Sequence, residues 1–315
     1  MPTDEFKKLL DREFSKAAVR PITELATPLL QELVNSGLMI FRRCENEAAR
    51  TGKENEDVAA MALYRHVIEM VDAIEVLVAN SCGTAAIPVL RSAFEGTLGL
   101  LHLLSDDAKY VDRALSWLVA DIHVGIKARE ILEPGTPKGK EYAQLYAKEF
   151  GRIIKPIPNA ALVAEIQQLE QHLQRPQFAP IEAEYQRTRK TLHRNPDWFS
   201  LYGGPENRAE LAESLGKGAM YRLLYGDWST LSHGNDLRRY LSNESGRPAY
   251  DAVRRPHALQ SISQLSALLL IMASRTMIQK FRKGEELEPW YTREVRSLLD
   301  QLSALKVTLT PLSEE

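Results

Sequence analysis

The chain has 315 residues, 44% of them hydrophobic and 26% charged, with a formal net charge of −2 at pH 7 and a pI near 6.4. That length and apolar content support a substantial buried core and exclude global disorder. The near-neutral balance excludes polyanion binding by overall charge, so any such contact has to be local.

Apolar residues recur at helical spacing almost throughout, and alternating strand-like runs are scarce, which predicts an all-α, multi-helix bundle. The charged start, MPTDEFKKLLDREF, lacks the apolar core of a signal peptide and predicts a short helix over 4–10. Helices are expected next over 21–50 and 57–80. In the second of these Leu63, Val67, Met70, Ile74 and Leu77 form one stripe, and Arg65, Glu69 and Asp72 lie on another face. Further helices are expected over 84–104, 106–132, 141–153, 161–173, 181–193, 208–233, 256–283 and 292–305. Proline and glycine clusters at 133–139, 155–158, 175–176, 195–196 and 203–205 crowd the middle of the chain. Segments 1–133 and 207–315 therefore read as one helical bundle, and 134–206 as an irregular helical insertion of the same domain. A second irregular stretch, 234–256, joins two strong helices and carries Arg238, Arg239, Arg254 and Arg255. The longest apolar run, LSALLLIMA at 265–273, is too short to span a bilayer, so no membrane partner is expected. Cys44 and Cys82 match no metal or redox spacing, and two thiols in so long a chain point to a reducing compartment, hence the cytoplasm.

Two helices carry polar groups where the pattern predicts burial. In TAAIPVLRSAFEGTLGLLHLL, residues 84–104, Arg91, Glu95 and His102 fall within about 40° of one line along the axis. A buried charge is costly unless paired, so Arg91 and Glu95 are expected to pair with each other or with groups on a facing helix. In YRLLYGDWSTLSHGND, Tyr225, Ser229 and His233 form a ladder at i, i+4 and i+8, with Ser232 beside it. Gly234 reads as a helix terminator that puts His233 in the last turn, where the dipole favours its protonated form. A hydroxyl near an imidazole can serve nucleophilic or general-base chemistry, provided a third group orients the base. The ordinary alternatives are a structural ion pair for Arg91 and Glu95, a capping role for His233, and packing roles for Tyr225, Ser229 and His102.

The order and spacing of Arg91-x-x-x-Glu95 and Tyr225-x-x-x-Ser229-x-x-x-His233 resembles a bacterial domain-of-unknown-function family, numbered 5677, over roughly 55–130 and 210–280. The chain is also distantly similar to HEPN-type helical domains, which include ribonucleases of toxin and phage-defence systems. The resemblance to the numbered family implies functional roles for Arg91, Glu95 and His233, and with Tyr225 and Ser229 of the ladder these make up the candidate catalytic set. The HEPN frame itself, an Arg followed after four to six residues by a His, occurs at Arg187–His193, inside the expected insertion.

Other chemistries find little footing. Asp121-Ile-His123 and Glu69-x-x-Asp72 invite a metal reading, but Glu-x-x-His, His-Glu-x-x-His and clustered Cys/His spacings do not occur. Gly216-Lys-Gly218 lacks the P-loop frame and no Gly-x-Gly-x-x-Gly is present, so no cofactor is expected. The basic stretch 187–194, followed by Trp198, Phe199 and Tyr202, is the best local candidate for a polyanion patch, against the commoner reading of a solvated helix face. Two functions remain open. One is a HEPN-like nuclease or other phosphate-directed enzyme, with His233 as general acid or base and Arg91 stabilising phosphate charge. The other is a non-enzymatic helical binding module. Either would work as a homo-oligomer with RNA or a small anionic ligand as partner.

Overall fold

The computed structural model describes residues 12–51, 54–151, 159–227, 241–244, 247–250, 254 and 258–306. The architecture is all-α and multi-helical. A two-stranded antiparallel hairpin, β1 (Leu241–Glu244) with β2 (Arg247–Tyr250), pairs Leu241 with Tyr250 inside the stretch expected to be irregular. The expected helix over 4–10 lies outside the described residues.

The chain divides into two compact units, Met1–Leu104 with Ala212–Glu315, and Ser105–Leu211. In the first unit four long helices pack on one another: α1 (Arg12–Thr51), α2 (Glu54–Ala79), α3 (Gly83–Leu104) and α10 (Leu259–Phe281). Leu29, Leu30 and Leu33 of α1, Ile68 and Ile74 of α2, Leu90, Phe94 and Leu98 of α3, and Leu269 and Leu270 of α10 are fully buried or nearly so. Arg65, Glu69 and Asp72 sit on the exposed face of α2, as the apolar stripe requires.

α1 begins nine residues before the expected proline start and runs through Pro21 and Pro28. Both prolines lie on its exposed face, where water can serve the carbonyls that lose an N–H partner, while Val19, Ile22, Ala26 and Leu29 hold the opposite face in the core. α10 has the length and mean hydropathy of a membrane span, but its buried face packs against α1, α2 and α3 as a core helix. A buried hydroxyl pair ties three of these helices together: Tyr64 donates to the Gly37 carbonyl at 3.3 Å and lies 2.8 Å from Ser274 Oγ. A last helix, α11 (Arg296–Ala304), packs on α1 and α10.

The second unit, Ser105–Leu211, is built on α4 (Tyr110–Leu132). α5 (Pro137–Phe150), α6 (Ala160–Leu173) and α7 (Ala179–Leu192) all pack on it. The unit has its own core of Val119, Ile126, Leu173, Ile181, Tyr185 and Leu201. Thr136 caps α5 by accepting from Gly139 N at 2.9 Å, and Asn159 caps α6 by accepting from Ala161 N at 3.0 Å. The buried Glu133 carboxylate accepts from Gly135 N and Asn159 N, which ties the turn after α4 to the start of α6. Proline and glycine thus punctuate short helices, two of which carry side-chain caps.

Candidate functional site

The expected long helix over 208–233 is broken. α8 (Arg208–Ser214) ends in a turn where Gly216 adopts φ +67° and Lys217 N donates to the Ala212 carbonyl at 2.7 Å, a left-handed termination that suits glycine. The Gly216-Lys-Gly218 motif is therefore a helix stop. α9 (Gly218–Arg222) follows and widens into a π-turn over Leu223–Asp227. Single π-turns inside helices recur at functional sites, and Tyr225 sits in this one.

Tyr225 meets the polar face of α3. Its hydroxyl donates to Glu95 Oε1, and the Arg91 guanidinium carbon lies over its ring, 4.1 Å from the centroid. Tyr221, one turn earlier, stacks on the same ring at 4.3 Å and 11°. The i, i+4 spacing that put Arg91 and Glu95 on one face of α3 therefore brings both to one tyrosine. All three are half-buried, as is Ser92, while Ala93 and Phe94 of the same turn are packed into the core. A guanidinium over an aromatic face is attracted by the ring quadrupole, and arginine's planar fork of donors is the kind that suits a phosphate or carboxylate. Ser229 and His233, the other two members of the expected set, lie outside the described residues, as does Ser232. His102, on the same line of α3, is buried.

A second polar pair escaped the sequence reading. His66 Nε2 lies 3.0 Å from Ser92 Oγ, next to Arg91 along α3. The signal was Gly96: a glycine inside a central helix sacrifices stability unless something occupies its side, and a Cβ there would come within 2.8 Å of His66 Cδ2.

In the second unit His123 does not join Asp121, which is exposed on α4, but bonds Glu182 Oε2 on α7 at 2.7 Å, with the Tyr185 ring stacked on it at 4.1 Å. Burial alone would raise the Glu182 carboxyl, but hydrogen bonds from His123 and Gln186 outweigh it and hold the group below its ordinary value. Glu69 is engaged by Arg65 at 2.8 Å, and among the described residues no group of three His, Cys, Asp or Glu side chains is arranged to hold a metal ion. The two residues of the HEPN-like frame each have their own local setting. Arg187 is held in a bidentate pair by Glu184, both contacts at 2.7 Å, and His193 ends α7 in a left-handed turn at φ 52°. The basic and aromatic residues of that region also separate. Phe199 is buried, and Tyr202 is anchored through its backbone N–H to Glu184, on the far side of α7 from Lys190 and His193.

The family described as "Family of unknown function (DUF5677)" matches residues 57–248, more than half of the chain. The chain belongs to this family. The matched stretch runs from α2 to the hairpin and contains Arg91, Glu95, Tyr225, Ser229 and His233 together with the whole second unit, so both polar centres fall inside the DUF5677 region. No curated protein and no solved structure gives a significant match.

Proposed function

We propose that this DUF5677 protein acts on a phosphate-bearing substrate, RNA in the first instance, at the site built on Arg91. The observation that carries the reading is the meeting of Arg91, Glu95 and Tyr225 at one half-buried point. In this reading Glu95 fixes the tyrosine through its hydroxyl, and the ring holds the guanidinium by a cation–π contact. Arg91 then meets the charge that develops on a phosphoryl group during transfer. His233, eight residues beyond Tyr225 in the chain, is the proposed general acid or base: as base it takes the proton of an attacking hydroxyl, and as acid it gives one to the leaving oxygen. A cytoplasmic setting, assembly as a homo-oligomer and a role in phage defence or a toxin system belong to the same proposal.

The test is RNA degradation by the purified chain beside His233→Ala, Arg91→Lys and Tyr225→Phe, each first checked for folding by circular dichroism. Loss of cleavage in His233→Ala and a large drop in Arg91→Lys are expected. The lysine keeps the charge but not the flat fork. A folded wild type that leaves a panel of RNAs intact refutes the nuclease.

One observation favours a second reading, a non-enzymatic helical binding module with a structural network. Tyr225 uses its hydroxyl, its ring and its neighbour Tyr221 all within the protein, so the same contacts also serve to pin the π-turn after α9 to α3. In that case the three variants lower stability and leave no activity to lose.

A further inference from the structure

The second unit carries two clefts that the Arg91 site does not use. The first, about 550 Å³, lies between α4, α6 and the start of α7, over Ile126 and Leu173. Its wall along α6 is Gln167, Glu170 and Gln171 with Gln174 just past the helix end, a face presenting three primary amides and a carboxylate. Among the described residues none of these four side chains has a hydrogen-bond partner. Each amide offers a donor beside an acceptor, the combination that pairs with the edge of a nucleobase. His123 and Glu182 close the opposite side, and neither lysine nor arginine lines this cleft.

The second cleft, about 430 Å³, has the opposite chemistry. Arg189, Lys190, His193 and Arg194 line it with the amides of Gln186 and Asn195, and no carboxylate does. Arg194 is engaged by the Glu206 carbonyl and by Asp197 at 3.9 Å. Among the described residues Arg189, Lys190 and His193 have no hydrogen-bonded side-chain partner. A basic last turn is also what a helix dipole favours, so charge here would mean little by itself. What distinguishes it is its neighbour. Gln186 Nε2, a wall of the basic cleft, donates to Glu182 Oε1, a wall of the first, at 2.7 Å. The two clefts meet at that bond, and Glu182 and Lys190 are about 12 Å apart along the axis of α7. That is comparable to the length of a nucleotide from base edge to phosphates, and each cleft is of ligand-pocket size.

We propose that the two clefts form one nucleotide-binding groove, with the base and sugar against the Gln167–Gln174 face and the phosphates among Arg189, Lys190 and His193. The groove is separate from the Arg91 site, so an inactive RNA assay leaves it standing.

The test is calorimetric titration of the full chain with the four common ribonucleoside diphosphates, the matching nucleosides, and pyrophosphate. At least one diphosphate is expected to bind tenfold or more tighter than its nucleoside and than pyrophosphate. Charge reversal in Arg189→Glu with Lys190→Glu should abolish that advantage and leave nucleoside binding unchanged. Gln171→Ala with Gln174→Ala should weaken nucleoside and diphosphate alike and spare pyrophosphate. All four positions are exposed, and Arg189→Ala with Lys190→Ala replaces the reversal should it disturb α7. Equal affinity for diphosphate and pyrophosphate would reduce the groove to a general anion patch and overturn the proposal. Absence of binding by all four diphosphates overturns it outright.

Discussion

The Tyr225 hydroxyl donates to Glu95 across 130 residues of sequence, and the ring that carries it also supports Arg91. One side chain thus makes two separable contacts. Tyr225→Phe removes the hydrogen bond to a carboxylate and keeps the ring, and should cost about 1.5 kcal/mol. Tyr225→Ala removes the cation–π contact and the Tyr221 stack as well, and should cost about 3 kcal/mol. Urea unfolding of both variants measures the difference. Equal losses would mean that the ring contributes nothing beyond its hydroxyl.

Gly139 is a harder constraint. A Cβ there would lie 1.9 Å from the Glu133 carbonyl oxygen and 2.6 Å from its carbon, both backbone atoms that cannot swing aside. Gly139→Ala should therefore displace the first turn of α5, break the Thr136 cap and cost about 3 kcal/mol. Amide exchange reads this directly. The α5 amides should exchange much faster in the variant, and unchanged protection would show that the loop after α4 can give way.

These features were legible to different depths. Arg91 and Glu95 could be found because a helix converts the i, i+4 spacing into one face, and Tyr225 because it too lay on a helical ladder. The union of the two faces rests on packing, which no spacing encodes. His123 was noticed beside Asp121, yet its partner Glu182 stands 59 residues away on another helix. Periodicity placed α2, α3 and α10 because each buries a wide stripe, but it said nothing of the hairpin, whose four-residue strands are too short for a period to register. The proline at position 21 read as a helix start, and the structure runs α1 through it because the apolar residues on both sides share a buried face.

Cys44 and Cys82 should differ sharply in reactivity. Burial pushes the Cys44 thiol up to about 12, with Arg282 and Arg43 opposing the shift and Glu285 adding to it. Almost no thiolate is then present near neutral pH, and the side chain is fully buried. Cys82 is half-buried. A colorimetric thiol reagent should titrate one thiol in the native protein and a second only in denaturant. Rapid release of two equivalents from the folded chain would show that α1 opens around Cys44.

The His123–Glu182 pair should shape the acid limb of stability. Because the folded Glu182 carboxyl is held below its ordinary value of 4.5, its contribution is complete above that pH. It is lost as the pH falls further, through the folded value. Glu75 runs the other way. Burial raises its carboxyl, with the Gln31 hydrogen bond opposing, so protonation relieves a penalty as the pH falls. Comparing wild type with Glu182→Gln at each pH cancels Glu75 and isolates the pair. The variant should be less stable above pH 4.5, and the gap should close below it. A gap independent of pH would mean that the carboxylate charge contributes nothing to the pair.

Gly96 and His66 offer a test of how closely α2 and α3 approach. On helix propensity alone Gly96→Ala should stabilise by about 1 kcal/mol. Its Cβ, however, would sit 2.8 Å from His66 Cδ2 and 3.2 Å from Val67 Cγ2, so the imidazole must turn away and give up Ser92. Overpacking of this kind costs about 1–3 kcal/mol, so the net effect should be a loss of about 1 kcal/mol. His66→Ala opens the space, and Gly96→Ala placed on that background should become stabilising. The sign reversal is the decisive reading in a double-mutant cycle followed by urea unfolding. If Gly96→Ala shifts stability by the same amount with and without the imidazole, the glycine is not there to admit His66, and the reason must be sought at Val67.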